Sequence, residues 1–252
     1  MNEFWIIPEI IAPLDTLIDN TSLLGATNDI DAIAIWLREY KDNINTLISY
    51  RQCVERYYLW VYYRGKQLNN ITREDLQDYQ DFLADPQPRE MWCGKRMPKG
   101  PDWKPFVSGL GVSSIRLQFW ILKNLYNYLV AADYLAKNPF LLIKKMPKPI
   151  DKGIDRVKKK KHIDYILEYI DQMPIETHAQ EFDKEQANWL IRLLFLSGMR
   201  ISEVTNGKML DFIFQRDQWW IKTIGKGNKY GEIPATEDLI DALARYRKFI
   251  GL

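Results

Sequence analysis

The segment from Lys144 to Lys161 constrains the fold more than any other, because it divides the chain into two parts. It contains Pro147, Pro149 and Gly153, and it has nine Lys or Arg residues against two Asp. Its charge of +7 leaves −5 for the rest of a chain whose net charge is +2. Proline and glycine interrupt regular structure, and clustered like charges favour a solvated segment. We therefore predict an interdomain linker that separates two domains of ordinary size.

The composition predicts a water-soluble globular protein. Apolar residues make up 46% of the 252 residues and charged residues 27%, so each part can bury a core. Glu3, Pro8 and Asp15 are among the residues that interrupt the N-terminal apolar stretch, and no basic segment precedes it. This pattern fits neither a secretory signal nor a membrane span. We expect a cytoplasmic protein with no membrane partner.

The cysteines indicate neither a disulfide nor a metal site. The chain has two of them, Cys53 and Cys93, without C-x-x-C spacing and without a neighbouring histidine. Metal sites and disulfide frameworks need closer or more numerous ligands. We interpret both as buried or incidental thiols.

Before the predicted linker, turn residues separate four segments with helical periodicity. In the fourth, Ile115, Phe119, Leu122, Tyr126 and Leu129 recur at the spacing of one helix face. Thr72 is a plausible N-cap for the third, and Ser113 or Ser114 for the fourth. The predicted helices span about Asp29–Tyr40, Asn45–Tyr63, Thr72–Leu83 and Ser113–Lys137. The long loop from Pro86 to Gly111 contains Trp92, Trp103 and Phe106, and we expect it to pack against the core.

After the linker the pattern combines helices with short β-rich runs, and Gly198 is a suitable C-terminal residue for the second helix. The predicted helices are His162–Gln172, Glu185–Ser197, Arg200–Lys208 and Thr236–Ile250, and the predicted strands are Leu210–Phe214, Gln218–Ile224 and Lys229–Ile233. The fold class is therefore mainly α with a small three-stranded antiparallel sheet.

Arg200 follows Gly198 and Met199, so one helix ends immediately before another begins. Backbone N–H groups at a helix start and a buried guanidinium suit an anion, because arginine offers a planar fork of donors that matches two phosphate oxygens. The alternative is an arginine that only pairs with Glu203, three residues later on the same helix face.

Lys226 lies 26 residues after Arg200, between Gly225 and Gly227 in the sequence GKGNK. Two glycines permit a tight turn and let a backbone approach a partner closely. By itself this pattern also describes a solvent-exposed turn without a catalytic role. The two motifs in series are more specific than either one.

In this combination the sequence resembles the tyrosine recombinase, or phage integrase, family. The family pattern of Gly-x-Arg, an acidic residue three positions later and a Gly-Lys-Gly hairpin stands here as SGMRISEVTNGKMLDFIF and WWIKTIGKGNKYGEIPAT. ITREDLQDYQDFL and SIRLQFWILKNLYNYLVAADYLAKNPF resemble the family's N-terminal helical domain. The resemblance extends from about Asp29 to Phe249.

The resemblance implies four regions. Residues 1–28 would be an N-terminal extension, 29–143 a helical core-binding domain with a SAM-like bundle that binds DNA, 144–161 the basic linker, and 162–252 the first half of the catalytic domain. Double-stranded DNA is the implied partner, and no cofactor or metal is implied. Self-association or a full-length recombinase partner is a further expectation.

The resemblance also implies roles for three residues. Arg200 matches the catalytic arginine that binds the scissile phosphate, Glu203 the acidic residue that supports it, and Lys226 the hairpin lysine that protonates the leaving 5′-oxygen. The family's later His-x-x-Arg pair and nucleophilic tyrosine have no match, since both histidines, His162 and His178, precede Arg200. We therefore expect a C-terminally truncated catalytic domain that does not cleave DNA alone.

The basic linker and the fourth helix supply the expected DNA contacts. The candidate residues are Lys158, Lys159, Lys160, Lys161, Arg116 and Lys123. The alternative is that these charges only keep the linker and the helix solvated. The runner-up function is a non-catalytic DNA-binding module or decoy that regulates a full-length recombinase, and a third is a helical protein-interaction domain. If helices are missing, we expect exposed apolar side chains around Leu193, Leu239 and Ile250.

Overall fold

The computed structural model describes residues 22–95, 103–146, 160–225 and 227–252. The chain divides into two compact units, Met1–Lys152 and Gly153–Leu252, here called the N-terminal and C-terminal units. Most of the predicted linker, including Lys158 and Lys159, lies outside the described residues. Mainly helical structure with one three-stranded antiparallel sheet confirms the predicted fold class.

The N-terminal unit is helical. Its buried side chains form one continuous core, to which α2 and α5 each contribute eight buried residues. Short 3₁₀ turns at Leu68–Asn70 and Pro139–Leu142 pack around these helices. The helices are α1 Asp29–Arg38, α2 Ile44–Tyr63, α3 Arg73–Ala84, α4 Arg89–Trp92 and α5 Val112–Ala131.

The predicted N-cap of α3 is confirmed, whereas both predicted ends of α5 are wrong. Thr72 Oγ1 accepts a hydrogen bond from the Asp75 backbone N–H, and Asp75 Oδ2 accepts one from the Thr72 backbone N–H. At α5 the cap is Gly111, so the predicted capping serines lie inside the first turn. The helix ends at Ala131 because Asp133 adopts a φ of 52° and the Tyr134 N–H returns to the Leu129 carbonyl.

Tyrosine hydroxyl groups satisfy buried polar groups in this core. The hydroxyl of Tyr126 donates to the Leu68 carbonyl at 3.1 Å, and the hydroxyl of Tyr57 lies 2.8 Å from that of Tyr126. Gln118 bridges the Cys53 carbonyl and the Tyr79 hydroxyl. Since buried polar groups must be paired to avoid a desolvation penalty, these bonds fix the register of α2 against α5.

The thiols and the long loop agree with the sequence predictions. Cys53 is buried and Cys93 half-buried, and both are free; burial raises the pKa of the Cys53 thiol. In the loop, Trp92 and Phe106 are buried, and the Phe106 N–H donates to the Trp92 carbonyl at 3.1 Å. The described part of the loop therefore packs against the core as predicted.

Gly109 closes this loop against α3. A Cβ atom at position 109 would lie 1.9 Å from the Ala84 carbonyl oxygen, a distance that no side chain tolerates. The next residue, Leu110, donates its backbone N–H to the Leu83 carbonyl at 2.8 Å. Glycine is required here by the close approach of two backbones.

We expect Gly109→Ala to lower the free energy of unfolding by about 1–3 kcal/mol or more, because either α3 or the loop must shift. Gly25→Ala is the matched control, since a Cβ there meets nothing within 4 Å, and its effect should stay within about 0.5 kcal/mol. Urea unfolding followed by circular dichroism measures both. Equal effects of the two substitutions would contradict the assigned contact.

The C-terminal unit packs helices against a small sheet. The strands are ordered β1-β2-β3 and pair antiparallel, with Ile221 of β2 opposite Phe212 and Ile233. Its elements are α6 Lys160–Asp171, α7 His178–Ser197, α8 Ile201–Asn206, β1 Phe212–Gln215, β2 Gln218–Gly225, β3 Lys229–Pro234 and α9 Glu237–Phe249, with a 3₁₀ turn at Met209–Asp211. α7 begins seven residues before the predicted start because Thr177 and Gln180 form a capping box there.

The prediction of exposed apolar residues named the wrong side chains. Leu193 is only 6% exposed and Leu239 is fully buried, because α7 packs against α9 and both side chains join the core with Ile221. The third predicted residue, Ile250, is half-buried. Arg245 of α9 adds hydrogen bonds from Nε and Nη2 to the Glu185 carboxylate of α7. The exposed apolar side chains instead include Leu210, which is 83% exposed, Ile201 and Ile224.

Candidate functional site

The turn between α7 and α8 positions Arg200. Gly198 adopts a left-handed conformation with φ of 66°, and its N–H donates to the Leu194 carbonyl at 3.1 Å. This conformation favours glycine and ends α7, as predicted. Met199 is buried in the core of the C-terminal unit, so the next residue, Arg200, is the N-cap of α8.

Glu203 binds Arg200 in two ways. Its Oε2 accepts the Arg200 backbone N–H at 2.8 Å, and its Oε1 accepts Nη1 of the guanidinium at 2.8 Å. The carboxylate thereby gives a hydrogen-bond acceptor to a backbone N–H at the start of α8 that has none within the helix. The predicted pairing of Arg200 with Glu203 is therefore present in the structure.

The expectation that the arginine is buried is wrong. The Arg200 side chain is 68% exposed, whereas the Glu203 side chain is 7% exposed. Glu203 takes the buried position because its two oxygens are satisfied there, and the guanidinium extends outward from it. Among the described residues, no hydrogen-bond partner faces Nε or Nη2 of Arg200. Two donor groups of the fork thus remain for a ligand.

The charge state of Glu203 follows from these contacts. The hydrogen bond from the Arg200 backbone N–H, with further contributions from the guanidinium, lowers the pKa of the Glu203 carboxyl. Hydrogen bonds to a carboxylate favour its ionised form. Glu203 therefore stays ionised at neutral pH and keeps Arg200 in place.

The second motif reaches the same carboxylate. A Cβ atom at Gly225 would lie 3.3 Å from Glu203 Oε1, so the end of β2 packs directly on the residue that orients Arg200. Gly225 pairs with Lys229 across the hairpin, and Gly227 and Asn228 adopt positive φ in the turn. Lys226 lies outside the described residues. Its neighbour Gly225 nevertheless brings the hairpin to the Arg200–Glu203 pair.

We expect Glu203→Gln to reduce the dependence of stability on acidic pH. The folded-state pKa of Glu203 lies below its ordinary value of 4.5, so its contribution to stability is present above pH 4.5 and is lost as pH falls through the lowered pKa. The wild type should therefore lose more stability than the variant on acidification from about pH 5 downward. Thermal unfolding across this range measures the difference.

Glu168→Gln in α6 is the matched control, because Glu168 is exposed and no ion pair is recorded for it among the described residues. This variant should follow the wild-type pH dependence. The same pH dependence in wild type and Glu203→Gln would refute the proposed linkage between the carboxylate and the fold.

The histidines and the late tyrosines lie in ordinary structural positions. His162 and His178 are exposed near the starts of α6 and α7. The ring of Tyr246 is buried and stacks on that of Trp189, with the ring centroids 5.9 Å apart. Tyr230 is exposed on β3, and partial desolvation of its hydroxyl, together with the hydrogen bond that the hydroxyl donates to the Glu232 carboxylate, raises its pKa.

The predicted DNA contacts on α5 surround a side chain that the sequence analysis overlooked. Arg116, Trp120 and Lys123 are spaced at i, i+4 and i+7 and line a cavity of about 240 Å³ together with Lys144. Trp120 is 54% exposed. A large apolar side chain at the centre of a cationic face is typical of an interaction surface. The four-residue spacing of Arg116 and Trp120 indicates that both lie on one helix face, but the spacing alone does not show that this face is exposed.

Of the four predicted DNA-contact lysines in the linker, the structure describes Lys160 and Lys161, and both are exposed at the start of α6. Within the described ranges, no group of three or more His, Cys, Asp or Glu residues is arranged to bind a metal ion. The helices that the structure describes also include none with the length and apolar character to cross a membrane.

Curated relatives match most of this chain. The chain is 25% identical over 213 residues to the tyrosine recombinase XerD of Rickettsia bellii, a match that covers 80% of this chain and 58% of the relative. It is 25% identical over 207 residues to a tyrosine recombinase of Thermosipho africanus, covering 80% of this chain and 60% of the relative. The chain is thus similar to tyrosine recombinases. No family model matches the sequence.

Solved structures agree with this chain in fold. The XerH site-specific recombinase bound to its difH substrate superposes with a TM-score of 0.54 at 15% identity, covering 88% of this chain and 58% of that chain. The Tn1549 transposon integrase in complex with circular intermediate DNA gives a TM-score of 0.51 at 16% identity, covering 85% of this chain and 62% of that chain. Similarity at this level concerns the fold alone.

The chain spans about three fifths of the length of the relatives it matches. Of the three predicted site residues, the structure brings Arg200 and Glu203 into direct contact, while Lys226 lies outside the described residues. Gly225, the residue before Lys226, packs against Glu203. Arg116 and Lys123 meet at a second place, on α5 of the N-terminal unit.

Proposed function

We propose that this chain binds duplex DNA as a site-specific recombination protein and that Arg200 binds a backbone phosphate. The observation that supports this most directly is the Arg200 guanidinium itself. Glu203 fixes it at one nitrogen, and its other donors remain on an exposed surface. A planar fork held in this way can form two parallel hydrogen bonds to phosphate oxygens.

The N-terminal unit supplies the second DNA contact in this proposal. Arg116 and Lys123 would bind the sugar-phosphate backbone, while Trp120 between them would pack on sugars or base edges. Lys144 borders the same cavity. The lysines from Lys158 to Lys161 would add phosphate contacts along the linker. Neutralising phosphates releases condensed counterions, so the affinity should fall steeply with salt.

We expect Arg116→Gln with Lys123→Gln to reduce the slope of log Kd against log salt by about 2, because each phosphate contact contributes about 0.9. Trp120→Ala should weaken binding by more than about 1 kcal/mol without changing the slope, since it removes no charge. Fluorescence anisotropy with labelled duplex DNA at several NaCl concentrations measures both.

Arg38→Gln with Arg73→Gln is the matched control. It removes the same charge from the N-terminal unit at two residues without recorded ion pairs in the described structure, and its slope should equal that of the wild type. Binding by the wild type that does not depend on salt would contradict the proposal and favour a protein-interaction domain.

The proposed chemistry is limited to phosphate positioning. Arg200 would stabilise charge on the non-bridging oxygens of a scissile phosphate, and Lys226 would protonate the leaving oxygen. The 252 residues contain no His-x-x-Arg sequence. Tyr246 is buried, and the hydroxyl of Tyr230 has a raised pKa. We therefore infer that this polypeptide alone forms no phosphotyrosyl bond, because neither tyrosine meets the requirements of an activated nucleophile.

We expect no covalent protein–DNA adduct when this chain is incubated with a nicked suicide substrate that contains its attachment site. Denaturing gel electrophoresis detects such an adduct directly. The physical reason is that covalent transfer needs an activated nucleophile, which phosphate binding by Arg200 does not replace. An adduct formed by this chain alone would disprove the inferred lack of cleavage.

The same reaction tests the second candidate function, a regulator or decoy for a full-length recombinase. Exposed Ile201, Leu210 and Ile224 on the C-terminal unit favour this candidate, because apolar surfaces of this kind commonly contact another protein. Adding a full-length relative should then change the amount of its own adduct. An unchanged amount would argue against a partner role, and self-association would appear separately by light scattering.

A further inference from the structure

Ser197, the last residue of α7, lies three positions before Arg200. Its hydroxyl forms two hydrogen bonds in the structure. The Oγ–H group donates to the Leu193 backbone carbonyl, and Oγ accepts the Met199 backbone N–H at 3.2 Å. A hydroxyl has one donor and two acceptor lone pairs, so both bonds can form at the same time. Ser197 therefore joins the last turn of α7 to the residue that leads into α8.

The bond to Met199 satisfies a backbone group that the helix does not. Gly198 turns the chain out of α7 with its left-handed conformation, so Met199 lies beyond the regular hydrogen bonding of the helix. Within the described ranges no backbone carbonyl accepts the Met199 N–H, and Met199 is buried. A buried N–H group without an acceptor is unfavourable. The Ser197 hydroxyl supplies this acceptor.

Two successive backbone N–H groups before α8 have side-chain acceptors. The first, that of Met199, donates to Ser197 Oγ. The next, that of Arg200, donates to Glu203 Oε2 at 2.8 Å. One acceptor comes from α7 and the other from α8. The position of the backbone between the two helices therefore depends on both side chains.

The guanidinium of Arg200 depends on this backbone for its direction. The side chain is exposed, and among the described residues its hydrogen-bond partner is Glu203 Oε1, which holds Nη1 alone. A contact at one nitrogen leaves the orientation of the fork sensitive to the position of the Arg200 backbone. A phosphate that binds the other donors requires a defined orientation, because paired hydrogen bonds to its oxygens are directional.

We propose that Ser197 is a positioning residue whose hydroxyl orients Arg200 for phosphate binding. The inference rests on the proposed function of Arg200 and extends it to a residue that does not touch the ligand. The alternative is a serine that only bonds back to its own helix, as serines inside helices commonly do. The second bond, from the Met199 N–H, crosses the end of α7 and favours the positioning role.

Ser197→Ala and Ser197→Thr test the hydroxyl in the free protein, because threonine keeps this group and alanine removes it. NMR titration of ¹³C-labelled glutamate side chains gives the pKa of Glu203, which the hydrogen bond from the Arg200 backbone N–H lowers in the wild type. We expect this pKa to rise toward 4.5 in Ser197→Ala and to keep its wild-type value in Ser197→Thr. The same pKa in all three proteins would overturn the inference, whatever their affinity for DNA.

Circular dichroism verifies that each variant is folded. If Ser197→Ala does not fold, Ser197→Cys takes its place with the same expectation, because the thiol keeps the shape of serine and is a weaker donor and acceptor.

The second arm measures duplex DNA binding by anisotropy in a double-mutant cycle with Arg200→Ala. Ser197→Ala should weaken binding about fivefold in the wild-type background, the effect of about one hydrogen bond, and should have no effect beside Arg200→Ala. Ser197→Thr should bind like the wild type.

Equal weakening by Ser197→Ala in both backgrounds would overturn the inference, because the serine would then not act through Arg200. No weakening by Ser197→Ala, with weaker binding by Arg200→Ala alone, would also overturn it and leave the proposed function intact. Unchanged binding by Arg200→Ala would instead refute the phosphate role of Arg200 in the proposed function. The pKa of Glu203 then decides whether Ser197 positions Arg200.

Discussion

The carboxylate of Glu203 is the contact on which the candidate site depends. One oxygen accepts the backbone N–H of Arg200, and the other accepts its guanidinium, with Gly225 of the hairpin packed on the same side. The start of α8 and the end of β2 therefore meet at one ionised group. Because hydrogen bonds to charged groups are stronger than neutral ones, a single side chain can set both the start of α8 and the direction of Arg200.

The N-terminal unit is held together by contacts of a different kind. Its core is large and aromatic, and its buried polar groups include tyrosine hydroxyls and a glutamine that pair with backbone carbonyls. Such pairs remove the penalty of burying polar atoms and fix α2 against α5. Rigid placement of these helices positions the cationic surface around Trp120. A rigid scaffold with exposed cations is well suited to bind a polyanion without large rearrangement.

Much of the fold follows from local patterns, and the errors have local physical causes. Apolar periodicity predicted the helices. Thr72 caps the start of α3 and Gly198 ends α7, as expected, because caps act within a few residues. The ends of α5 were misplaced because two serines suggested a cap that Gly111 provides, and because Asp133 turns the chain early. The exposure of Leu193 and Leu239 was misjudged because burial depends on how α7 packs against α9.

The sequence by itself predicted the resemblance to tyrosine recombinases, the two-part organisation and the motifs that contain Arg200, Glu203 and the Gly-Lys-Gly hairpin, since these depend on residue identity and spacing. Only the tertiary structure decided that Arg200 is exposed while Glu203 is buried, and that Gly225 reaches the same carboxylate. The physical reason is that packing brings distant segments together, and no local pattern encodes which side chains then face one another.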